Sequence, residues 1–399
     1  MTTTPAASLT PAPRLVSLDA YRGFTMLAMA SGGLGLAEVA THHPDSSMWQ
    51  EIARQMEHLP WVGCVAWDLI QPSFMFMVGV SMAYSYASRQ RRGDSHGQMF
   101  RHALFRGITL TLLGVFLRSN HKPETYWTFE DVVSQIGLGY VFLFLLWGRS
   151  AKVQFTAAML VLIGYWTLFA VWPLPGTDFD YASAGVDPDW QYNLSGFAAH
   201  WNKNTNAAHA FDVWFLNLFP RSTAFQNNGG GYHTLSFIPS LATMIFGLMA
   251  GELLRGPRGG GRKFLILIGT GAVAMAAGYA LDDFDICPIV KRIWTPSWTI
   301  YSSGICLLIL AAFYGIIDLA GIQFWAWPAV VVGMNSIAIY IMTWLFKGWI
   351  RETYQTHLGQ EIFNIFGEQY ASLVEHTAIL LVMWLICLWM YRRKIFLRI

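Results

Sequence analysis

Residues 264–281 read FLILIGTGAVAMAAGYAL, and none of them is charged. At a rise of 1.5 Å per residue, an α-helix of this length extends about 27 Å, close to the roughly 30 Å hydrocarbon thickness of a bilayer. An uncharged run of this length predicts a transmembrane helix. Comparable apolar runs lie on both sides of it, for example at 234–255 and 298–318.

The composition of the whole chain agrees with a membrane protein. Of its 399 residues, 54% are hydrophobic and 13% are charged, whereas a soluble domain carries about 25% charged residues. The 18 Trp and 16 Tyr are residue types that collect at the membrane interface. A net charge of +2 gives no reason to expect a nucleic-acid partner.

The apolar runs predict an all-α, polytopic membrane helix bundle of about ten transmembrane helices. Each run is close to the 20 residues that a spanning helix needs. The first, which is rich in Gly and Ala, is expected inside the bundle because small residues let helices approach closely. The predicted spans are 20–40, 66–88, 100–118, 130–148, 153–173, 234–255, 263–281, 298–318, 324–346 and 375–392.

The positive charges predict the orientation. Alternate loops and the C-terminal tail are rich in Lys and Arg, and the positive-inside rule places them in the cytoplasm. Both termini are then cytoplasmic, which requires an even number of spans. The charge-rich set consists of Arg89, Arg91, Arg92, Arg101, Arg149, Lys152, Arg255, Arg258, Arg262, Lys263, Arg392, Arg393, Lys394 and Arg398.

The domain organisation is simple. Residues 1–13 are polar and Pro/Ala-rich and lack the basic and apolar regions of a signal peptide, so they are predicted to be a disordered cytoplasmic tail. Residues 14–399 are predicted to form one transmembrane domain with an extracytoplasmic insert at 174–233. The insert mixes aromatic residues with amides and carboxylates, as in DWQYNLSGFAAHWNKN. Such a surface suits a sugar, and a cap that only covers the bundle is an equal alternative.

Cysteine usage gives no metal site. The four cysteines form no CxxC pair and have no zinc spacing. Cys64 and Cys287 are both predicted on the outer side, where two free thiols or one disulfide are open alternatives.

Several ionisable residues fall within predicted spans, where they are costly and usually functional. Asp19 and Arg22 start the first helix, and an interfacial salt bridge is the plainer interpretation of Asp19. Arg22 and Arg106 are candidate phosphate ligands, because a guanidinium presents a rigid fork of donors. Asp68 either orients a catalytic group or favours the positive end of its helix.

His58 lies in EHLPWVGCVAWDL at the outer mouth of the second helix. An imidazole titrates near neutral pH and can act as a general base or a nucleophile. A histidine in a loop is more often hydrated than catalytic, so His58 alone is a weak signal.

Five motifs in order give the chain a family resemblance. They are SLDAYRGFTML at 17–27, HLPWVGCVAWDLIQPSFMFMVGVSMAYS at 58–85, VVSQIGLGYV at 132–141, KRIWTPSWTIYSSG at 291–304 and VVGMNSIAIYI at 331–341. Together they resemble the heparan-alpha-glucosaminide N-acetyltransferase family and its bacterial relatives, which are transmembrane acyltransferases. The joint pattern is fairly specific, although no single motif is.

The resemblance implies an enzyme that uses cytosolic acetyl-CoA as co-substrate and acetylates a sugar amine across the membrane. The proposed catalytic histidine of the family matches His58. It acts either as a general base in direct transfer or as a transient acetyl carrier, and the sequence does not choose. The implied partners are a sugar or glycan acceptor and the bilayer of a bacterial inner (plasma) membrane, and a homodimer is left open.

The same resemblance brings other residues toward the site. Lys291 and Arg292 are predicted to hold phosphate, and Trp294 or Trp298 to stack on adenine or sugar; an interfacial belt of charge and Trp is the rival interpretation. Asn335 is predicted to hydrogen-bond the thioester oxygen or the acceptor. With His58 and Asp68 it completes the predicted catalytic set.

The chain departs from the family at two places. A first-helix asparagine of the family aligns with Gly33, and an acidic stretch before the sixth helix is replaced by NNGGGYHTLSF at 227–237. The acceptor is therefore described broadly, as a glycan amine or hydroxyl. The alternative function is a transporter or flippase for a polar or anionic solute, with a path lined by Arg22, Asp68 and Arg106.

Overall fold

The computed structural model describes residues 15–397, and the predicted N-terminal tail at 1–13 lies outside them. Within this range the regular structure is helical, and one isolated antiparallel bridge joins Val62 to Val290. The all-α prediction is confirmed.

Fifteen α-helices follow one another along the described chain. They are α1 (Val16–Ser31), α2 (Leu36–Thr41), α3 (Ser47–Met56), α4 (Ile70–Arg91), α5 (His96–Arg118), α6 (Val132–Leu146), α7 (Ala151–Ala170), α8 (Ala207–Phe215), α9 (Phe237–Arg255), α10 (Gly260–Asp283), α11 (Pro296–Phe313), α12 (Trp327–Gly333), α13 (Ser336–Leu345), α14 (Lys347–Leu358) and α15 (Ala371–Arg392).

Seven helical segments in the described range are long and apolar enough to cross a membrane, so the chain is an integral membrane protein. An eighth crossing is formed if α12 and α13, which are bent by 68° at their junction, count as one span. The two remaining predicted spans correspond to α4 and to α6, which has only 15 residues. The count of ten therefore stays a prediction.

α4 illustrates why hydropathy is a weak guide for a central helix. Its sequence, IQPSFMFMVGVSMAYSYASRQR, contains serines, tyrosines and arginines, yet most of its first half is buried among other helices. Because its neighbours rather than lipid cover it, the helix need not be apolar all round.

The first predicted span is not one continuous helix. α1 ends in a tight turn at Gly32–Gly35, and Gly32, Gly33 and Gly35 all have a left-handed backbone. Glycine adopts this conformation without a Cβ penalty, so the glycine-rich stretch GGLG allows the chain to turn before α2.

Glycines also let the central helices touch backbone to backbone, as small residues do in membrane bundles. A Cβ on Gly23 of α1 would lie 1.7 Å from the Ala329 carbonyl oxygen of α12. A Cβ on Gly79 of α4 would lie 1.9 Å from the Met244 carbonyl oxygen of α9. The prediction that the first span lies inside the bundle is consistent with this contact.

We expect Gly79→Leu to prevent the close packing of α4 on α9. The added side chain meets backbone, which cannot move aside as a flexible side chain can, and overpacking costs about 1–3 kcal/mol or more. The measurement is the yield of monodisperse protein after detergent extraction. Gly164→Leu is the matched control, because no heavy atom lies within 4 Å of a Cβ at that exposed position of α7; equal losses in both variants would contradict the interpretation.

The segment between α7 and α9 forms a compact aromatic cap. Trp201 is fully buried and its ring stacks on Phe169 at the end of α7. Trp61, from the segment that follows α3, donates its indole N–H to the Trp201 carbonyl oxygen over 3.1 Å. The cap is thus joined to the segment that carries His58, at the end of the bundle where α4 and α9 begin. We call this the His58 end.

Candidate active site

Two loops that are distant in sequence meet at the His58 end. The bridge between Val62 and Val290 includes a backbone hydrogen bond from the Gly63 N–H to the Ile289 carbonyl oxygen at 2.9 Å. It places the residues that follow Ile289 directly beside those that precede Val62. Lys291 and His58 become neighbours in this way although 233 positions separate them.

Asp68 is held in the turn that starts α4. Residues Ala66–Leu69 form one 3₁₀ turn, and the Val65 N–H donates to Asp68 Oδ2 over 3.3 Å. Only 2% of the Asp68 side chain is exposed. A carboxylate that is buried and fixed by the backbone can orient a partner with little loss of side-chain freedom.

That partner is His58. Its Nδ1 lies 2.7 Å from Asp68 Oδ1, and the Lys291 ammonium lies 3.2 Å from the same oxygen. The Lys291 Nζ also lies 2.9 Å from His58 Nδ1 and 3.3 Å from His58 Nε2. Lys291 is 7% exposed, whereas 38% of the His58 side chain is accessible. Asp68 and Lys291 are therefore buried, and the imidazole of His58 is the accessible part of the cluster.

The short distance to Asp68 assigns the proton on the ring. A carboxylate only accepts, so Nδ1–H donates to Asp68 Oδ1, and Nε2 keeps its lone pair. The Lys291 ammonium then donates to Asp68 and toward Nε2, and its close approach to Nδ1 is a contact rather than a hydrogen bond. In this tautomer Nε2 is the unprotonated, basic nitrogen of the ring.

The surroundings keep that nitrogen unprotonated. Burial lowers the pKa of His58 below its usual value; the hydrogen bond to Asp68 opposes this, and the positive charge of Lys291 reinforces it. Burial also lowers the pKa of Lys291 to about 8, against the attraction of Asp68. A neutral imidazole beside an ammonium is thus the state at neutral pH.

The structure gives the two cations of the KRIW segment different partners. The Lys291 amine faces His58 and Asp68. Arg292 donates to the carbonyl oxygens of Gly230 at 2.7 Å and Leu59 at 3.3 Å, and its guanidinium lies over the Tyr232 ring. These interactions hold three segments together and engage one N–H of each guanidinium nitrogen.

The two tryptophans predicted to stack on a ligand are core residues. Trp294 is 1% exposed and Trp298 is fully buried, and the rings contact each other edge to face. Trp294 also donates to Thr243 Oγ1 over 3.4 Å. Both rings belong to the packed core and have almost no exposed surface.

Asn335 does not join His58. It lies at the bend between α12 and α13, where its amide donates to the Ile395 carbonyl oxygen and accepts from the Leu397 N–H at 3.0 Å. The adjoining Gly333 accepts a hydrogen bond from Arg22 near the start of α1, at the other end of the bundle. The backbone of the C-terminal segment therefore hydrogen-bonds the Asn335 amide, and the contact with the thioester or acceptor stays a prediction.

The two arginines predicted as phosphate ligands differ in their surroundings. Arg22 forms an ion pair of 2.7 Å with Asp19, as the plainer interpretation of Asp19 predicted, and donates to Gly333 and Ser81. Arg106 lies 4.9 Å from the centre of the Tyr140 ring, and its buried Nε has no hydrogen-bond partner within residues 15–397. Arg106 thus remains a candidate for binding an anion.

Gly33 lies close to the catalytic candidate. A Cβ at this left-handed position would be 3.5 Å from the Met56 Cβ and 3.8 Å from the Trp67 ring, the two residues being close to His58 and Asp68 in sequence. The position that aligns with the family asparagine therefore borders the His58 segment. Asparagine is one of the side chains that tolerate a left-handed backbone, so the geometry accommodates either residue.

Sequence reasoning did not identify which insert residues pack near Arg292 and near the segment that carries His58. Tyr232 contacts Arg292, and Lys203 places its amine over the Trp190 ring. All three neighbours come from the insert. Its aromatic and amide composition was a signal for a ligand surface, but nothing in the spacing indicated which residues approach His58.

Comparison with known proteins finds two curated relatives named heparan-alpha-glucosaminide N-acetyltransferase. The human protein is 23% identical over 433 aligned positions, which cover 97% of this chain. The mouse protein is 22% identical over 378 positions, which cover 84% of it. The chain is a distant homologue of these N-acetyltransferases. The family resemblance stated from the motifs is confirmed at this distance.

The homology has a defined extent. The alignments cover 60% of the human and 54% of the mouse heparan-alpha-glucosaminide N-acetyltransferase, so this chain matches little more than half of either relative. No family model matches the chain. Both relatives are named as transferases.

Proposed function

We propose that the protein is a transmembrane acetyltransferase that moves an acetyl group from cytosolic acetyl-CoA to an amine or hydroxyl of an extracytoplasmic sugar. The homologues' name supports an N-acetyltransferase acting on a glucosaminide. The observation that carries the proposal is the open imidazole of His58, whose Nδ1 is held by the buried Asp68.

In direct transfer, His58 acts as the general base. The acceptor nitrogen attacks the thioester carbonyl carbon, a C–N bond forms, and the proton lost from nitrogen passes to His58 Nε2. The C–S bond then breaks, and the imidazolium returns the proton to the leaving sulfur, so coenzyme A departs as a thiol. We assign to the Lys291 ammonium, which lies 3.3 Å from His58 Nε2, the stabilisation of negative charge on the carbonyl oxygen.

In the carrier route, the same nitrogen acts first as nucleophile. Nε2 attacks the thioester and forms an acetyl-imidazole as coenzyme A leaves, and the acceptor amine then attacks this acetyl group. Both routes require a neutral Nε2 and the orientation that Asp68 imposes. They differ in whether acetyl-protein forms without an acceptor.

The proposal is tested with the full chain in proteoliposomes, supplied with radiolabelled acetyl-CoA on one side and glucosamine or a hexosamine glycan on the other. Acetylated sugar on the far side is the expected result. Uptake of a polar solute without any acyl donor, together with no acetyl-CoA binding, would instead favour the transporter. The comparisons do not favour that alternative, since both relatives are named as transferases.

We also propose ten crossings with both termini in the cytoplasm of a bacterial inner membrane. Support comes from the Lys/Arg asymmetry and from helices at all ten predicted positions. Cysteines introduced at Arg149 and His121, which are on opposite sides in this topology, should react with an impermeant maleimide from opposite faces of sealed vesicles. Labelling of both from one face would contradict the orientation.

The low pKa of His58 makes the expected pH dependence specific. The rate should rise with pH as the imidazole loses its proton, and the midpoint of this acid limb should lie below the ordinary imidazole pKa of 6.5, because burial and Lys291 lower the pKa of His58. Lys291→Met removes one of the lowering charges, so the acid limb of kcat/KM should move to higher pH. On the alkaline side, the wild-type rate is expected to decline near pH 8, where Lys291 loses its charge.

Lys203→Met provides the matched control. Lys203 lies in the neighbouring insert and its amine contacts Trp190, so its loss should leave the acid limb where it is. An acid limb that stays in place in Lys291→Met, or moves equally in both variants, would show that Lys291 does not set the protonation of His58.

A further inference from the structure

A polar cavity of about 510 Å³ lies at the opposite end of α4 and α9 from His58. This volume lies within the range of about 300–1,000 Å³ typical of small-molecule sites. The polar and aromatic side chains that line it come from α4, α5, the α6–α7 turn and α9. They are Gln90, His96, Trp147, Arg149, Glu252 and Arg255.

Arg149 provides an uncommitted positive charge at this cavity. Its side chain is exposed, and its guanidinium makes no hydrogen bond or ion pair with any residue in the described range 15–397. Arg255 donates through one nitrogen to the Ala83 carbonyl oxygen at 2.8 Å and leaves its other nitrogens without a hydrogen-bond partner among those residues. Two guanidinium groups are therefore available to bind phosphate oxygens.

The Glu252 carboxylate in the cavity is hydrogen-bonded by neutral groups. Glu252 accepts from Gln154 Nε2 at 3.1 Å and from the Gly148 N–H at 3.4 Å. Both carboxylate oxygens thus face the turn between α6 and α7, which they help to hold. An anion can approach Arg149 without displacing an ion pair.

A row of packed aromatic rings extends from the cavity into the bundle. Trp147 is half-buried, stacks on Phe144, and lies 5.8 Å from the Tyr86 ring centre. Beyond Tyr86, which is fully buried, Arg106 lies over Tyr140 with its Nε unpartnered. Cationic groups beside aromatic faces suit a ligand that combines phosphates with a nucleobase.

Lys291 and Arg292, the two cations beside His58, do not offer an equivalent site. Lys291 is bound to Asp68 and His58, and Arg292 to the carbonyl oxygens of Leu59 and Gly230. The phosphates of an acyl-CoA therefore need another cationic site. The cavity lies at the end of the bundle where the Lys/Arg-rich loops are found, which the charge distribution predicts to be cytoplasmic.

We infer that this cavity binds the nucleotide end of the acyl donor, with Arg149 and Arg255 on the phosphates and Trp147 beside the adenine. The inference rests on the proposed function, since it assigns a site to the proposed donor. A phospholipid headgroup carries similar phosphate chemistry, so the test includes an arm that distinguishes the two ligands.

The test uses the full chain in nanodiscs of phosphatidylcholine, with binding of coenzyme A and adenosine 3′,5′-bisphosphate measured by calorimetry. The bisphosphate should compete with coenzyme A. Arg149→Glu should weaken both affinities at least about tenfold, because charge-assisted hydrogen bonds are lost and repulsion replaces them. Arg262→Glu, an exposed reversal at the same end of the bundle but outside the cavity, should change them less than about twofold.

Three results would overturn the inference without contradicting the proposed function, and a fourth would contradict the proposed function. Unchanged coenzyme A affinity in Arg149→Glu would refute the site while leaving the acetyltransferase intact. Failure of the bisphosphate to compete would do the same. If Arg149→Glu altered only retention of phosphatidylglycerol in mixed nanodiscs, the cavity would be a lipid site. A wild-type protein that binds no coenzyme A would instead contradict the proposed function itself.

Discussion

Replacing His58 with alanine is expected to lower acetyl transfer at least about a hundredfold, since general-base catalysis contributes roughly 10²–10⁴. The variant should still fold. The His58 side chain is 38% exposed and is not part of the packed core, so its removal leaves no sealed cavity. Transfer of labelled acetyl groups from acetyl-CoA to glucosamine-type acceptors measures the effect, and coenzyme A binding by the same sample reports folding.

His42→Ala is the matched control for this experiment. His42 is exposed and lies at the end of α2, before α3 and the His58 segment, so its loss should leave transfer within about twofold. Unchanged transfer in His58→Ala would remove the imidazole from the mechanism. Unchanged coenzyme A binding with lost transfer is the pattern expected of a residue that touches the reacting atoms.

The same variant distinguishes the two chemical routes. Incubation of wild-type protein with labelled acetyl-CoA and no acceptor should leave label on His58 only if an acetyl-imidazole forms. Label that is absent from wild-type protein that still transfers acetyl groups indicates direct transfer. Label that persists in His58→Ala belongs to another residue.

Asp68→Asn is expected to have the second-largest effect, a loss of transfer of at least about tenfold. The amide keeps the shape of the carboxylate but removes the charge that accepts from His58 Nδ1 and pairs with Lys291. An amide can donate as well as accept, so the ring is free to adopt the tautomer with its proton on Nε2, which is the wrong one for a base. The buried ammonium also loses its counter-charge, which is costly at 7% exposure.

The readout must separate orientation from simple destabilisation. Because Asp68 raises the pKa of His58 through their hydrogen bond, Asp68→Asn should move the acid limb of the pH profile to lower pH. A merely structural role would lower the amount of active protein without moving that limb. Glu51→Gln is the control, since Glu51 forms an exposed ion pair with Arg54 at the same end of the bundle; exposed pairs contribute only about 0–1 kcal/mol.

Most of the fold could be predicted from local sequence. A run of about 20 apolar residues must satisfy its backbone hydrogen bonds internally in a bilayer, so length and composition predict a helix whatever its neighbours are. Helices therefore lie at all ten predicted positions, including 263–281, which matches α10. The first predicted span lies within Val16–Thr41, one of the seven long apolar segments, and three left-handed glycines introduce a turn in it that periodicity does not reveal.

The site could be predicted only in part. The motif around His58 and Asp68 is local, since ten positions separate the two residues, and their hydrogen bond follows from the turn that starts α4. Lys291 joins them through a contact between loops 233 positions apart, which no local pattern reports. From sequence alone, the charges of Lys291 and Arg292 favour a phosphate site. In the tertiary structure both side chains have protein partners.

The sequence by itself determined that the chain is a membrane-embedded helix bundle with a candidate histidine at one end, because hydropathy, charge asymmetry and motif order are local or additive properties. Only the tertiary structure decided which cation contacts the histidine and which cations are available to an anion. It separated Asn335 from His58 and placed Arg149 at a cavity. Partners of a buried charge depend on how helices pack, and packing depends on contacts between residues far apart in the chain.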